Sequence, residues 1–120
     1  MKNKDQKVEI ILKPIIIMPR RLWHIRKYFK SGHAALIVGE SGNSQDDDYG
    51  FLNITKKPPN GYSYLECDKP INKSEQKSFI RHYVQRGKKK KFSKWIMNFE
   101  ISDSDLDKIQ NYLENKRKKR

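Results

Sequence analysis

An apolar run closes on Thr55-Lys56-Lys57 and another opens at Gly32-His33, so a hydroxyl, two ammonium groups and an imidazole can gather at one end of a strand pair. Those groups suit phosphodiester chemistry. RNA is cleaved without a metal when its own 2′-hydroxyl attacks the adjacent phosphate. That reaction needs a proton acceptor, cations or donors for the charge that builds on phosphorus, and a proton donor for the leaving oxygen. The imidazole of His33 can take either proton role. Thr55 can hydrogen-bond a phosphate oxygen, and Lys56 or Lys57 can neutralise it. The plainer alternative is a surface turn whose lysines are only solvated.

Two further groups pair cations with aromatic rings. Arg81-His82-Tyr83 leads through Arg86 into Lys88, Lys89, Lys90 and Lys91. Cations can track the phosphates of a single strand while a ring stacks on a base. Equally, such residues can be a solvated strand edge kept from aggregating by its charges. Earlier in the chain, Trp23, His24 and Tyr28 sit among Arg20, Arg21, Arg26, Lys27 and Lys30, which could border the same groove. Trp23 is read as a core anchor and His24 as structural.

Other chemistries find little support. Asp46-Asp47-Asp48 has no paired His or Glu, and three consecutive carboxylates cannot all point inward, so a solvated hairpin loop is expected there rather than a metal site. No Gly-rich phosphate loop, nucleophile elbow or His/Cys metal spacing occurs, and no cofactor is expected. Cys67, the single cysteine, is read with Tyr62 and Tyr64 as core or half-buried.

Lys and Arg total 27 against 14 Asp and Glu, a net charge of +13 over 120 residues. That excess, clustered rather than evenly spread, makes a polyanion the first partner to consider: RNA, with DNA as a competitor. The length suits one domain with one modest core. A lone thiol points to a reducing cytoplasm. Val8–Met18 is apolar, but Glu9, Lys13 and Pro14 and the absence of a small-residue cleavage pattern argue against a signal peptide. No stretch reaches the length of a membrane span.

The elements that must position these groups are short. Val8–Leu12 and Ile15–Met18 read as extended, because Pro14 and Pro19 exclude a helix interior. Arg20–Lys30 reads as a short basic helix or loop, from Leu22, Ile25 and Phe29 at helical spacing. Ala34–Val38 and Tyr49–Thr55 read as strands around an acidic loop, Glu40–Asp48. Lys56–Gly61 is a turn and Tyr62–Glu66 a short strand. Ser78–Val84 fits helix or strand, and strand is preferred because its neighbours need a partner. A strand there puts Arg81 and Tyr83 on one face and His82 on the other. Gln85–Lys94 reads as a basic loop and Trp95–Ile101 as a last strand with Trp95, Met97 and Phe99 on one face. A helix follows, with Ser102 as N-cap, Asp103, Asp105 and Asp107 at the positive end of the dipole, and Leu106, Ile109 and Leu113 as the packing stripe. The ends, Met1–Lys7 and Lys116–Arg120, read as polar, flexible tails. The fold class expected is α+β: a small curled antiparallel sheet, or SH3-like barrel, with a C-terminal helix.

Gly32-His33-Ala34-Ala35-Leu36-Ile37-Val38, followed by Phe51-Leu52-Asn53-Ile54-Thr55-Lys56, resembles the paired strands of the MazF/PemK-like toxins and of the related ToxN/AbiQ-type toxins. In those families an Arg-Pro or similar pair opens one strand and Thr-Ser closes another beside the ribonuclease site. By position, His33 stands at the family's Arg, Ala34 at its Pro, Thr55 at its Thr and Lys56 at its Ser. The resemblance implies a metal-independent endoribonuclease with sites at His33, Thr55, Lys56 and Lys57. It also implies a cognate antitoxin, either an acidic peptide or a structured RNA, and a homodimer, since related barrels commonly dimerise. The departures at His33 and Lys56 favour the alternative of a non-catalytic nucleic-acid-binding accessory protein of a plasmid or phage. A module for an acidic protein partner is the third reading.

Overall fold

The computed structural model describes residues 12–43, 46–72, 74 and 76–118. Its elements are β1 (Ile16–Ile17), β2 (His24–Lys27), β3 (Ala34–Glu40), β4 (Asp48–Thr55), β5 (Tyr64–Glu66), β6 (Phe79–Arg81), β7 (Gln85–Lys88) and α1 (Asp103–Lys118). Short 3₁₀ turns at Arg20–Leu22 and Lys89–Lys91 precede β2 and follow β7.

The β3–β4 hairpin is the centre of an antiparallel sheet. Ala34 pairs with Ile54, Leu36 with Leu52 and Ile37 with Phe51. Both central strands are apolar along nearly their whole length because both of their faces are covered. The outer edge of β3 is shared by β1 and β2, and that of β4 by β7 and β6, with β5 beyond β6. Each flank therefore changes strand part-way along, and the sheet curls into a half-barrel. Near the middle of the hairpin the register shifts between Ile37 and Gly39, where Gly39 faces Gly50. Any Cβ at Gly39 would lie 2.6 Å from the Ile16 carbonyl oxygen, and one at Gly50 would lie 2.5 Å from Ile15 Cγ2. The close approach of the β1 chain requires glycine at both.

Alternation divides the core into two. Leu36, Val38, Leu52, Ile54 and Ile80 meet Ile109 and Leu113 of α1. Ala35, Ile37 and Phe51 face the other way and pack with Phe92, Tyr28 and Tyr49. Tyr28 and Phe92 stack at 4.6 Å, and Phe51 meets Phe92 edge-on at 5.1 Å. Each such side chain contributes roughly 1.5–3 kcal/mol on full burial.

Helix α1 begins where Ser102 predicts. The Ser102 hydroxyl accepts from the Asp105 amide at 3.2 Å and donates to the Asp105 carboxylate at 2.9 Å. Ile109 and Leu113 are buried as expected, whereas Leu106 is only half-buried and Asp105 takes the fully buried position one residue before it. Among the described residues no helix is long and apolar enough to cross a membrane.

Several sequence expectations are corrected. Arg20–Lys30 is no helix: it makes a 3₁₀ turn and then β2, because Ile25 is drawn into the core opposite Leu36 while Leu22 and Phe29 stay exposed. Gln85–Lys88 is not loop but strand β7, paired with Asp48–Phe51. Trp95–Ile101 forms no strand, and Tyr62 and Tyr64 are exposed rather than buried. Asp48, expected in a solvated loop, is buried at the start of β4. The helix continues through Lys116–Lys118, where a loose tail was expected. The expectations for Met1–Lys7, Val8–Ile11 and the last two residues lie outside the described residues.

Candidate functional site

The β2–β3 connection is a tight reversal. The Tyr28 amide donates to the His33 carbonyl at 2.9 Å, the Gly32 amide donates to the Tyr28 carbonyl at 2.8 Å, and Gly32 supplies the left-handed backbone at φ 74°. His33 leaves this turn exposed, its amide held by the Ser31 hydroxyl at 3.2 Å. Extending the Ala34–Ile54 register by one residue sets His33 beside Thr55. On its other side, Thr55 pairs with Phe79 of β6.

His33, Thr55 and Lys56 accordingly line one cleft of about 330 Å³ at this end of the sheet. Ile54, Ile71, Met97 and Phe99 give it an apolar floor, and Asn72, Lys77 and Ser78 complete the rim. Among the described residues no carboxylate lines it. Outside it, Glu66 pairs with Lys77 at 3.3 Å. The Thr55 hydroxyl donates to the Lys57 carbonyl at 2.6 Å, which leaves its lone pairs to accept. Lys57 is exposed and does not line the cleft. The arrangement offers an imidazole, two ammonium groups and a wedge of apolar surface to an anion.

The residues expected to grip a strand divide into those with internal partners and those that face outward. Arg20 ties α1 to the sheet through Asp107, the Asp103 carbonyl and Gln110. Arg86 binds buried Asp48 at 2.7 Å and the Lys13 carbonyl at 2.6 Å. Lys88 lies 3.7 Å from the same carboxylate, and Lys89 bonds Glu40 at 2.6 Å as well as the Gly42 carbonyl. Arg86, Lys88 and Lys89 thus pair with Asp48 and Glu40, which flank the β3–β4 loop, an arrangement that sequence proximity alone does not reveal. Arg21, Lys30, Lys90 and Lys91 are exposed.

The strand expected over Ser78–Val84 is shorter: β6 ends at Arg81, and Arg81 and His82 have separate partners. The Arg81 guanidinium sits over the Tyr62 ring at 3.6 Å and 5.1 Å from the Tyr83 ring centre. His82 stacks on Tyr112 of α1 at 4.4 Å, accepts or donates at Nδ1 with the Ser63 hydroxyl at 2.9 Å, and receives the Tyr112 hydroxyl on its carbonyl. Burial lowers the His82 pKa below 6.5. It joins the helix to the sheet and is not a companion to His33.

No family model matches this chain, and no significant match occurs among curated proteins or solved structures. The candidate site thus stands on its own chemistry.

His24 and Cys67 take no part in it. His24 is half-buried, its pKa lowered mainly by desolvation, with Nδ1 2.9 Å from the Leu22 carbonyl. Burial, with Asp105 and Asp68 nearby, pushes the Cys67 thiol up to about 12, so no thiolate is available near neutral pH.

Sequence reasoning missed Lys77, Asn72 and the apolar floor from Met97 and Phe99. It also missed a second depression, of about 640 Å³, that includes Arg26, Phe29, Tyr49 and Trp95. The signal for it is the aromatic-basic adjacency in Tyr28-Phe29-Lys30 and Lys94-Trp95.

Proposed function

We propose that this protein is an RNA-binding endoribonuclease that cleaves without a metal at the His33 cleft. The observation that carries the proposal is the convergence of His33, Thr55, Lys56 and Lys77 on one cleft bordered, among the described residues, by no carboxylate. His33 takes the proton of the 2′-hydroxyl, and the 2′-oxygen forms a bond to phosphorus. The bond from phosphorus to the 5′-oxygen breaks, and that oxygen takes a proton from the Lys56 or Lys77 ammonium, which water restores. The products are a 2′,3′-cyclic phosphate and a 5′-hydroxyl end. Lys56 and Lys77 offset the charge on the phosphorane oxygens.

Under this reading the chain is a cytoplasmic toxin of the MazF/PemK or ToxN/AbiQ kind, and an acidic peptide or structured RNA antitoxin would cover the cleft. A second reading, a nucleic-acid-binding protein without cleavage, is favoured by one specific observation: the Thr55 hydroxyl already donates to the Lys57 carbonyl.

Incubation of purified protein with total cellular RNA in EDTA, followed by end-mapping, tests the choice. Cuts bearing 2′,3′-cyclic phosphate ends, lost in His33→Ala and weakened by Thr55→Ala, support the nuclease. RNA that stays intact yet binds in a salt-sensitive way supports the second reading and removes His33 from any catalytic role.

A further inference from the structure

The segment after β7 begins as a companion to β2 and then departs from it. The Ser93 amide donates to the Lys27 carbonyl at 2.9 Å, and the Met97 amide donates to the Ile25 carbonyl at 2.7 Å. Two residues of β2 are therefore matched by four residues of the opposing chain, and Lys94, Trp95 and Ile96 bulge outward. Buried Ser93 fixes the base of the bulge. Its hydroxyl accepts from the Lys27 amide at 3.0 Å and donates to the Trp95 carbonyl at 2.8 Å, and its carbonyl accepts from Arg26 at 2.9 Å. A core-anchored serine thus holds a tryptophan that is 59% exposed.

Trp95 does not stand alone. Phe29, 51% exposed on the β2–β3 turn, meets it edge-on at 6.4 Å. Beside the pair, Tyr49 has the Arg26 guanidinium 5.6 Å and the Lys89 ammonium 5.2 Å from its ring centre. Lys90 and Lys94 stand exposed along the same groove. The groove's one carboxylate among the described residues, Glu40, is bonded to Lys89 and so repels an anion less. Exposed flat rings bordered by cations match a chain that alternates π-faces with phosphates. An acidic peptide would match the cations and leave Trp95 and Phe29 unused.

We infer that this groove is a base-stacking subsite for single-stranded RNA, in which Trp95 carries a nucleobase and Lys90, Lys94 and Arg26 meet the flanking phosphates. The inference rests on the RNA reading above but not on cleavage. Trp95 lies two residues before Met97, which with Phe99 lines the His33 cleft and packs against the other core cluster. The subsite then selects unpaired RNA, whose bases are free to stack on Trp95.

Fluorescence anisotropy of a labelled, 2′-O-methyl oligonucleotide, which cannot be cleaved by 2′-attack, measures the subsite separately from the chemistry. Trp95→Ala is expected to weaken single-strand binding about tenfold or more while leaving the salt slope unchanged, and Trp95→Phe is expected to restore most of the affinity. Lys90→Ala with Lys94→Ala is expected to reduce the slope of log K against log salt by about 1.4. Duplex RNA should not respond to Trp95→Ala, since its bases are already stacked. Unchanged single-strand affinity in a folded Trp95→Ala protein overturns the subsite and spares the RNA reading. Wild-type protein that binds no RNA, or binds polyglutamate as tightly, overturns both.

Discussion

Asp105 of the helix accepts the backbone amide of Asp68 with both carboxylate oxygens, each at 3.0 Å, and is itself fully buried. Asp68 in turn receives the Ser104 hydroxyl at 2.9 Å and Lys108 at 3.1 Å, which hold its carboxyl below the usual range. One residue therefore caps α1 through Ser102 and fastens the chain that follows β5 to the helix. This matters at the cleft, because the same chain runs on to Ile71 and Asn72 in its wall.

Replacing Asp105 by Ala should cost about 2–4 kcal/mol, since it removes an N-terminal cap contact and leaves the Asp68 amide without its acceptor. Chemical denaturation measures the loss. Asp105→Asn should retain part of it, because an amide oxygen can still accept one of these bonds.

Arg86 supplies a contrasting case. Its partner Asp48 is buried, so Arg86→Ala leaves that carboxylate with Lys88 as its one cation partner among the described residues, and a loss of about 1–3 kcal/mol is expected. Lys90→Ala should change stability by no more than about 0.5 kcal/mol. RNA affinity should show the opposite order, with Lys90 the more sensitive. Paired denaturation and binding measurements on the two variants check this, and a larger affinity loss in Arg86→Ala would return that residue to the interface.

Much of the sheet can be read from the chain. The β3 run from Ala34 to Val38 is apolar without interruption and the β4 run from Tyr49 to Ile54 is broken only at Asn53, a pattern that strands covered on both faces explain. Their register follows from the hairpin, and with it the nearness of His33 to Thr55. The helix is equally legible, because Ser102 and the Ile109/Leu113 spacing agree. Trp95–Ile101 misleads for a definite reason. Trp95, Met97 and Phe99 alternate as a strand would, but the excursion from β2 turns Trp95 to the groove and leaves Met97 and Phe99 to the cleft.

The ion pairs were not legible. Arg86 and Asp48 are brought together by the β4–β7 register, and nothing local to Arg86-Gly87-Lys88 announces an acid 38 residues earlier. Basic residues counted as ligand contacts therefore proved partly structural. Lys94 and Trp95, which lack a repeated pattern, are exposed in the groove together with Phe29 and Lys90.

The two half-buried imidazoles, His24 and His82, should make the stability depend on pH. Desolvation lowers the pKa of both His24 and His82 from 6.5, and His24 Nε2 is buried without a hydrogen-bond partner among the described residues. A proton there would gain a buried N–H with nothing to receive it. The unfolded chain takes up protons first as pH falls through about 6.5, so the stability present above that value is lost below it, down to the folded pKa values. Denaturation midpoints should fall between about pH 7.5 and about pH 5, and fall less in His82→Gln, which cannot ionise. That variant also loses the stacking on Tyr112, so its midpoint at the higher pH should lie below that of the wild type. An undiminished pH slope in His82→Gln would assign the effect to other groups, and His24→Gln would then be the variant that separates the two imidazoles.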